Sequence, residues 1–437
     1  MKKLKLQSGI LRKVLLTAVA CCTIFACTEE TETNSEAPGA EDNGRRTVLV
    51  YMNARNSLYG NVKQDSLEMV RGAQNMDDRD RILLYVCKDR NSYLYRISKQ
   101  GTKLLLQGDY KQNASDPKQL EAILKWTAEQ FPSEEYGLVM WSHSDGWLPS
   151  TTVTEGKSRS FGVDVGANGN PWTDRLPNGQ LGYQMNITDL AQAVTASGMR
   201  PKFVFFDSCL MNGIEAMYAL RHTTDWIIAS PAQIPGVGAQ YTRMMEEVFY
   251  TNPFNPQAFT ASYVKQASTY PEYGNMGVVL SAVKTENLEN LAQVTRNLLA
   301  KYDSDKEPDM SRVLAYDRYA YRSFYRPEFF DLKQAMCRII TNETDREQWL
   351  DALEACVLYS DATPTINMWS NFSTDNLILN PGEFSAISAF VPQQKYSDYA
   401  EDCIFGDLNR AFMQTEWAKA SGWNENTYLK SLLTEQQ

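Results

Sequence analysis

Six stretches of the 437-residue chain are nearly continuous runs of apolar residues. They are 47–54 (TVLVYMNA), 81–87 (RILLYVC), 137–141 (GLVMW), 202–206 (KFVFF), 226–229 (WIIA) and 277–282 (GVVLSA). A strand with one wet face alternates apolar and polar residues. Unbroken runs of this length predict strands covered on both faces. Helical patterns separate them. Ser115-Asp116 ahead of Pro117 reads as a helix start, with Pro at the first helical position. Leu120, Ile123, Leu124, Thr127 and Phe131 then line one face. The segments 187–194 (ITDLAQAV) and 214–220 read as two more short helices. Strand alternating with helix predicts an α/β fold, a mostly parallel sheet flanked by helices on both faces.

The segment 148–181 is rich in Gly, Thr, Ser, Asn and Pro and reads as one long loop, a length usually reserved for function or processing. Past about residue 300, helices at 330–340 and 347–358, a strand-like run at 386–392 (AISAFVP) and a helical tail predict a C-terminal α+β extension. The expected division is a core over 46–300 with an extension over 301–437 packed on it. No internal repeat is visible.

In open α/β sheets ligands sit outside the carboxyl ends of the strands. The residues just past each apolar run are therefore the ones to inspect for chemistry. After Trp141 comes Ser142-His143-Ser144-Asp145-Gly146-Trp147, and after Phe206 comes Asp207-Ser208-Cys209-Leu210-Met211-Asn212. Ala229 is followed by Ser230-Pro231-Ala232-Gln233.

The N-terminus changes where the protein is expected to work. Lys2, Lys3, Lys5, Arg12 and Lys13 precede an apolar stretch that ends Ile24-Phe25-Ala26-Cys27. This reads as an export leader over 1–27 with a lipobox, Cys27 being the lipidated residue; a plain secretory signal is the alternative. Residues 28–45 are acidic and Pro/Gly-containing, without aromatic or large aliphatic side chains, and read as a disordered tether. The expectation is a lipid-anchored monomer of the bacterial cell envelope, on the outer membrane and facing either the periplasm or the surface. With a net charge of -10 and no dense basic patch, nucleic acid is not an expected partner.

Five cysteines besides Cys27 follow the leader: Cys87, Cys209, Cys337, Cys356 and Cys403. The odd number and the lack of any CxxC argue against a disulfide framework or a zinc site. A nucleophilic thiol needs a base or cationic neighbour. The chain has two histidines, His143 and His222. His143 and Cys209 each follow a predicted strand. If those strands are neighbours, their ends lie about 5 Å apart. His222, between the helix after Cys209 and the next strand, belongs at the opposite end of the sheet. Taken singly, each is more often structural: a hydrogen-bonded loop histidine and a buried thiol.

The segments VLVYMNARNSL (48–58), WSHSDGW (141–147), FDSCLMNGIEAMYAL (206–220), ASPAQIPGVGAQY (229–241) and GWNENTYL (422–429) resemble the clostripain family of cysteine peptidases, which share the caspase-like fold. The resemblance implies a cysteine endopeptidase acting on protein or peptide substrates through Cys209 and His143. It also implies an oxyanion site made by the backbone N–H groups of Cys209 and Ser144. Asp207 would line a pocket for Arg or Lys at P1, with Ser230 and Gln233 beside it; capping of the following helix is an equal reading of Asp207. Self-cleavage between His and Cys is implied, with Lys157 and Arg159 as candidate sites and Arg175 a further one. Calcium dependence is also implied, although Asp164, Asp174 and Asp189 are too scattered to make a calcium loop. The chain departs from the family where Ser144 and Asp145 replace glycines, and where Ala232, Gln233 and Gln240 replace acidic residues. These departures keep a second function open, an altered peptidase fold that binds peptides or glycans, and a structural envelope protein stands as a third.

Overall fold

The computed structural model describes residues 42–109, 111–149, 160–269, 277–317, 327–367, 376–398 and 407–434. Cys27, Lys157, Arg159 and Cys403 lie outside the described residues, as do the leader and nearly all of the tether.

The first apolar run becomes β1 (Gly44–Asn53). Helix α1 (Val62–Gly72) leads to β2 (Asp80–Lys88) and a hairpin of β3 (Asn91–Ser98) and β4 (Gly101–Gln107). Helix α2 (Pro117–Gln130) starts as its sequence predicts, the Asp116 carboxylate accepting from the Lys118 N–H at 2.9 Å. Then come β5 (Ser133–Trp141), a short ribbon of β6 (Phe161–Asp164) and β7 (Tyr183–Met185), and α3 (Ile187–Ala196). Strand β8 (Phe203–Asp207), α4 (Ile214–Leu220) and β9 (Trp226–Ala229) follow. After a one-turn α5 (Tyr241–Met244) come α6 (Pro256–Thr269), β10 (Val279–Lys284) and α7 (Leu288–Lys301).

One nine-stranded sheet runs β12-β10-β9-β8-β5-β1-β2-β3-β4, where β12 is Val357–Ala362. The five inner strands β2, β1, β5, β8 and β9 are parallel. Strand β10 was expected among the parallel strands and is antiparallel to β9, with β12 antiparallel to β10. Strands β3 and β4, antiparallel on the other edge, have weaker apolar patterns and were not foreseen. The sheet is therefore mixed, with a parallel centre.

The unbroken apolar runs now have a physical reason. Successive strand side chains point to opposite faces. Leu49, Tyr51, Leu138, Met140, Val204 and Phe206 enter one core, while Val48, Val50, Met52, Val139, Phe203 and Phe205 enter the other. Each fully buried side chain of this kind contributes about 1.5–3 kcal/mol. Helices cover both faces, α2, α3 and α4 on the first core and α1, α5 and α6 on the second.

Several expectations are corrected. The loop expected over 148–181 contains β6, and its continuation carries β7. The helix expected at 330–340 begins with a two-residue strand, β11 (Phe330–Asp331), ahead of α8 (Leu332–Ile339). The helix expected at 347–358 is α9 (Glu343–Cys356) and yields to β12 at Val357. Only Ser388–Ala389 of the 386–392 run is strand. The region after residue 300 is built into the sheet through β12, beyond packing on it.

Gly137 marks a place where the sheet tolerates no side chain. A Cβ there would lie 2.4 Å from the Phe203 ring on the neighbouring strand. Gly137→Ala is expected to lower stability by about 1–3 kcal/mol, because the fully buried ring has no room to retreat. Urea unfolding followed by tryptophan fluorescence measures it; an unchanged midpoint contradicts the packing.

Candidate active site

The register of β5 against β8 pairs Trp141 with Asp207. His143 and Cys209 each stand two residues beyond that pair, on adjacent parallel strands, so both loops leave the sheet side by side. The strand-end expectation is met for both residues. His222 is elsewhere: exposed, it sits 3.7 Å from Glu289, in a surface hollow with Arg200, Lys202 and Asp225 at the beginnings of β8 and β9.

Three features hold the two loops together. Ser144 Oγ donates to the Cys209 carbonyl, so a serine in place of a glycine serves as a brace between the loops. Gly146, at φ +65°, lies against Leu210, where a Cβ would come 2.7 Å from the Leu210 carbonyl oxygen. Leu210 itself takes φ +59°, a left-handed conformation that costs a non-glycine residue about 1–3 kcal/mol and turns the chain sharply after Cys209. Its N–H is held by the Ala232 carbonyl at 3.0 Å.

The Cys209 sulfur meets the loop after β9. The Ile234 N–H points at Sγ from 3.4 Å, and the thiol in turn faces the Ile234 carbonyl at 3.9 Å. The remaining described cysteines are poor candidates. Burial pushes the thiols of Cys87 and Cys337 up, and that of Cys356 to about 12, so they stay protonated.

His143 joins Ser144 and Asp145 in a short bridge to Ser160–Gly162. The Gly162 N–H donates to the His143 carbonyl at 2.9 Å, and the Asp145 N–H to Ser160 at 3.1 Å. That pattern leaves the Ser144 N–H out of the bridge. The imidazole Nε2 lies 2.8 Å from Ser57 Oγ and 3.8 Å from Asp174 Oδ2. The sequence pattern gives neither Ser57 nor Asp174 a catalytic role. Ser57 was findable, since it lies past the end of β1 as His143 lies past the end of β5. Asp174 lies inside a long polar loop and carries no local signal.

Asp207 is buried beneath the same β9 loop. Its carboxylate accepts from the Ala239 N–H at 3.0 and 3.1 Å and from the Tyr241 hydroxyl at 2.9 Å. Burial pushes its pKa up to about 6, with the Glu68 charge adding to the rise. Asp65, on the neighbouring helix, is pushed up by burial and then by Asp207 and Glu68. Gly238, at φ +61°, is needed there, because a Cβ would lie 2.7 Å from the Asp207 carboxylate. Gln233 is half-buried in this loop. Ser230 corrects an expectation: it is fully buried, its hydroxyl accepts from the Ala232 N–H and its carbonyl accepts from the Asn212 N–H, so it shapes the loop instead of facing a ligand.

The C-terminal region supports the cysteine loop from below. Asn212 donates to Ser281 Oγ and the Ala386 carbonyl, and Ser388 N–H donates to Asn212 at 2.8 Å. Glu215 accepts from the Phe390 N–H at 2.7 Å.

The calcium expectation finds no ligand set. Asp164 is buried against Arg55 and the Ala114 and Gly166 N–H groups, Asp174 is at Ser57, and Asp189 is bound by Asn186. Among the described residues no group of three or more His, Cys, Asp or Glu could hold a metal ion.

A parallel-centred sheet with a cysteine and a histidine at adjacent strand ends defines the class of caspase-like cysteine peptidases. The clostripain family model matches residues 50–417, and the chain belongs to that family. It is a cysteine-type peptidase, and its substrates are proteins or peptides. The chain is similar to a secreted C11 cysteine protease from Bacteroides thetaiotaomicron, solved with an irreversible peptide inhibitor. The TM-score is 0.70 and the identity 25%, over 87% of this chain and 100% of that one. An inactive zymogen C11 protease from Parabacteroides distasonis shares the fold at TM-score 0.66 and 24% identity, over 87% and 99% of the two chains. No curated protein matches significantly.

The support under Cys209 generates a pH dependence. Burial pushes the Glu215 pKa up from 4.5 to about 8. The unfolded chain loses this proton at lower pH than the folded one. Stability therefore falls as pH rises from about 4.5 to about 8 and is flat beyond. Glu215→Gln is expected to reduce that slope, leaving the contributions of the other buried acids whose pKa burial raises, Asp65, Asp207, Asp317 and Asp331. Thermal melts from pH 5 to pH 9 test this; an equal slope in both proteins contradicts it.

Proposed function

We propose that the protein is an endopeptidase working by acyl transfer through a Cys209–His143 dyad. The observation that carries this is the β5–β8 register, which aligns the two strand ends. The Cys209 thiol gives its proton to His143 as Sγ attacks the scissile carbonyl carbon. The C–N bond then breaks, and the proton passes to the leaving amine. Water hydrolyses the thioester, returning the thiol. The N–H groups of Ser144 and Cys209 stabilise the oxyanion.

A preference for Arg or Lys at P1 is supported by Asp207, two residues before the nucleophile, with Glu68 adding like charge. A cationic side chain would relieve that accumulation. Self-processing is proposed within 150–159, where Lys157 and Arg159 lie. Arg175 suits it less, because its N–H and carbonyl are both paired with Asn170 and a peptidase needs extended, accessible chain. The leader supports lipid anchoring at Cys27 in the cell envelope.

Cys209→Ala and His143→Ala are each expected to lower peptide hydrolysis by at least about 10³-fold, with thermal melts unchanged. Full activity in either variant rules the dyad out. Asp207→Asn is expected to lower kcat/KM for Arg and Lys substrates by about 10-fold or more relative to uncharged P1 residues. A library profile that keeps its P1 ranking in this variant removes Asp207 from specificity.

A further inference from the structure

Resting on the Cys209–His143 reading, we infer that Ser57 and Asp174 form a positioning relay that fixes the tautomer of His143 and steadies its charged form. The geometry starts at Asp174, which straddles Ser57. Its Oδ1 accepts from the Ser57 N–H at 2.8 Å, and its Oδ2 lies 3.3 Å from the Ser57 hydroxyl. The same hydroxyl oxygen is 2.8 Å from His143 Nε2.

The relay assigns a direction to each of these bonds. A carboxylate accepts, so the Ser57 hydroxyl proton is assigned to Asp174. The oxygen is then left to accept, and its partner is His143 Nε2. That nitrogen must carry a proton. The neutral imidazole has one N–H, so Nδ1 is the basic nitrogen, available to take the Cys209 proton. Once Nδ1 is protonated, the ring is a cation 3.8 Å from the Asp174 carboxylate. The attraction is strengthened by partial burial, since the side chains of His143 and Asp174 are only 23% and 11% exposed. Asp145 and Cys209 are the other titratable groups on the two loops that meet here.

Asp174 is held in place by backbone as well. It caps a short turn over Pro171–Thr173 at φ +55°, and its carbonyl accepts from the Gly182 N–H at 2.9 Å. The relay thus ties the His143 ring to the segment between His and Cys, where processing is proposed. Ser57 and Asp174 touch no reacting atom; they act through His143.

Four variants of the full chain test the relay, each checked by thermal melt. Ser57→Ala and Asp174→Asn should each lower kcat by roughly 10- to 100-fold with KM within about twofold, and Ser57→Thr should restore most of kcat because it keeps the hydroxyl. In Asp174→Asn the acidic limb of the kcat/KM profile should move down by roughly one pH unit, because the imidazolium loses its counter-charge and the neutral base persists to lower pH. The double variant should be no worse than the weaker single, since the pair acts as one unit.

Fully additive losses, a Ser57→Thr protein as slow as Ser57→Ala, or an unmoved acidic limb overturns the relay. If His143→Ala is dead while Ser57→Ala and Asp174→Asn keep the parent kcat, the relay fails and the dyad stands. If His143→Ala is active, the dyad itself fails. Should Asp174→Asn not fold, the Ser57 pair alone decides.

Discussion

The parallel pairing of β5 with β8 is the constraint on which the rest depends. Backbone hydrogen bonding sets Trp141 opposite Asp207, and that single register places one imidazole and one sulfur at neighbouring strand ends. A one-residue slip would reverse the face of every side chain in β8 and move Phe203 and Phe205 out of their core. The same burial that holds the sheet together therefore also sets where His143 and Cys209 leave it.

Around that pair, backbone strain and small residues substitute for bulk. Leu210 turns the chain in a left-handed conformation, and Gly146 and Gly238 let a carbonyl and a carboxylate approach the backbone closely. Ser144 has its hydroxyl committed to the Cys209 carbonyl, where it braces the two loops. Cys209 is gripped from several segments: Ile234 touches its sulfur, Ala232 holds the next residue, and Asn212 ties the loop to Ala386 and Ser388. The C-terminal region is in this sense part of the site.

The electrostatics of the site are dominated by burial. Asp207, Asp65 and Glu215 all have raised pKa values because desolvation outweighs the hydrogen bonds they receive. Asp207 and Asp65 share one region and repel each other. Burial there disfavours the charged carboxylates, and Glu215 serves mainly as a neutral hydrogen-bonding group under the cysteine loop.

By itself the sequence determined the strands of the parallel centre, the helix starts at Asp116 and Ile187, and the placement of His143 and Cys209 just past two of those strands. Unbroken apolar runs report double-sided burial, and polar residues just past them report the functional end of a sheet. Local pattern could not say that β10 runs antiparallel, that β12 closes the edge from beyond residue 300, or that Ser230 is shut inside its loop. Those depend on which strand finds which partner across long stretches of chain. Ser57 and Asp174 show the same limit at atomic scale. They are 117 residues apart and meet at one imidazole nitrogen because folding brings two loops together, and no spacing along the chain encodes that meeting.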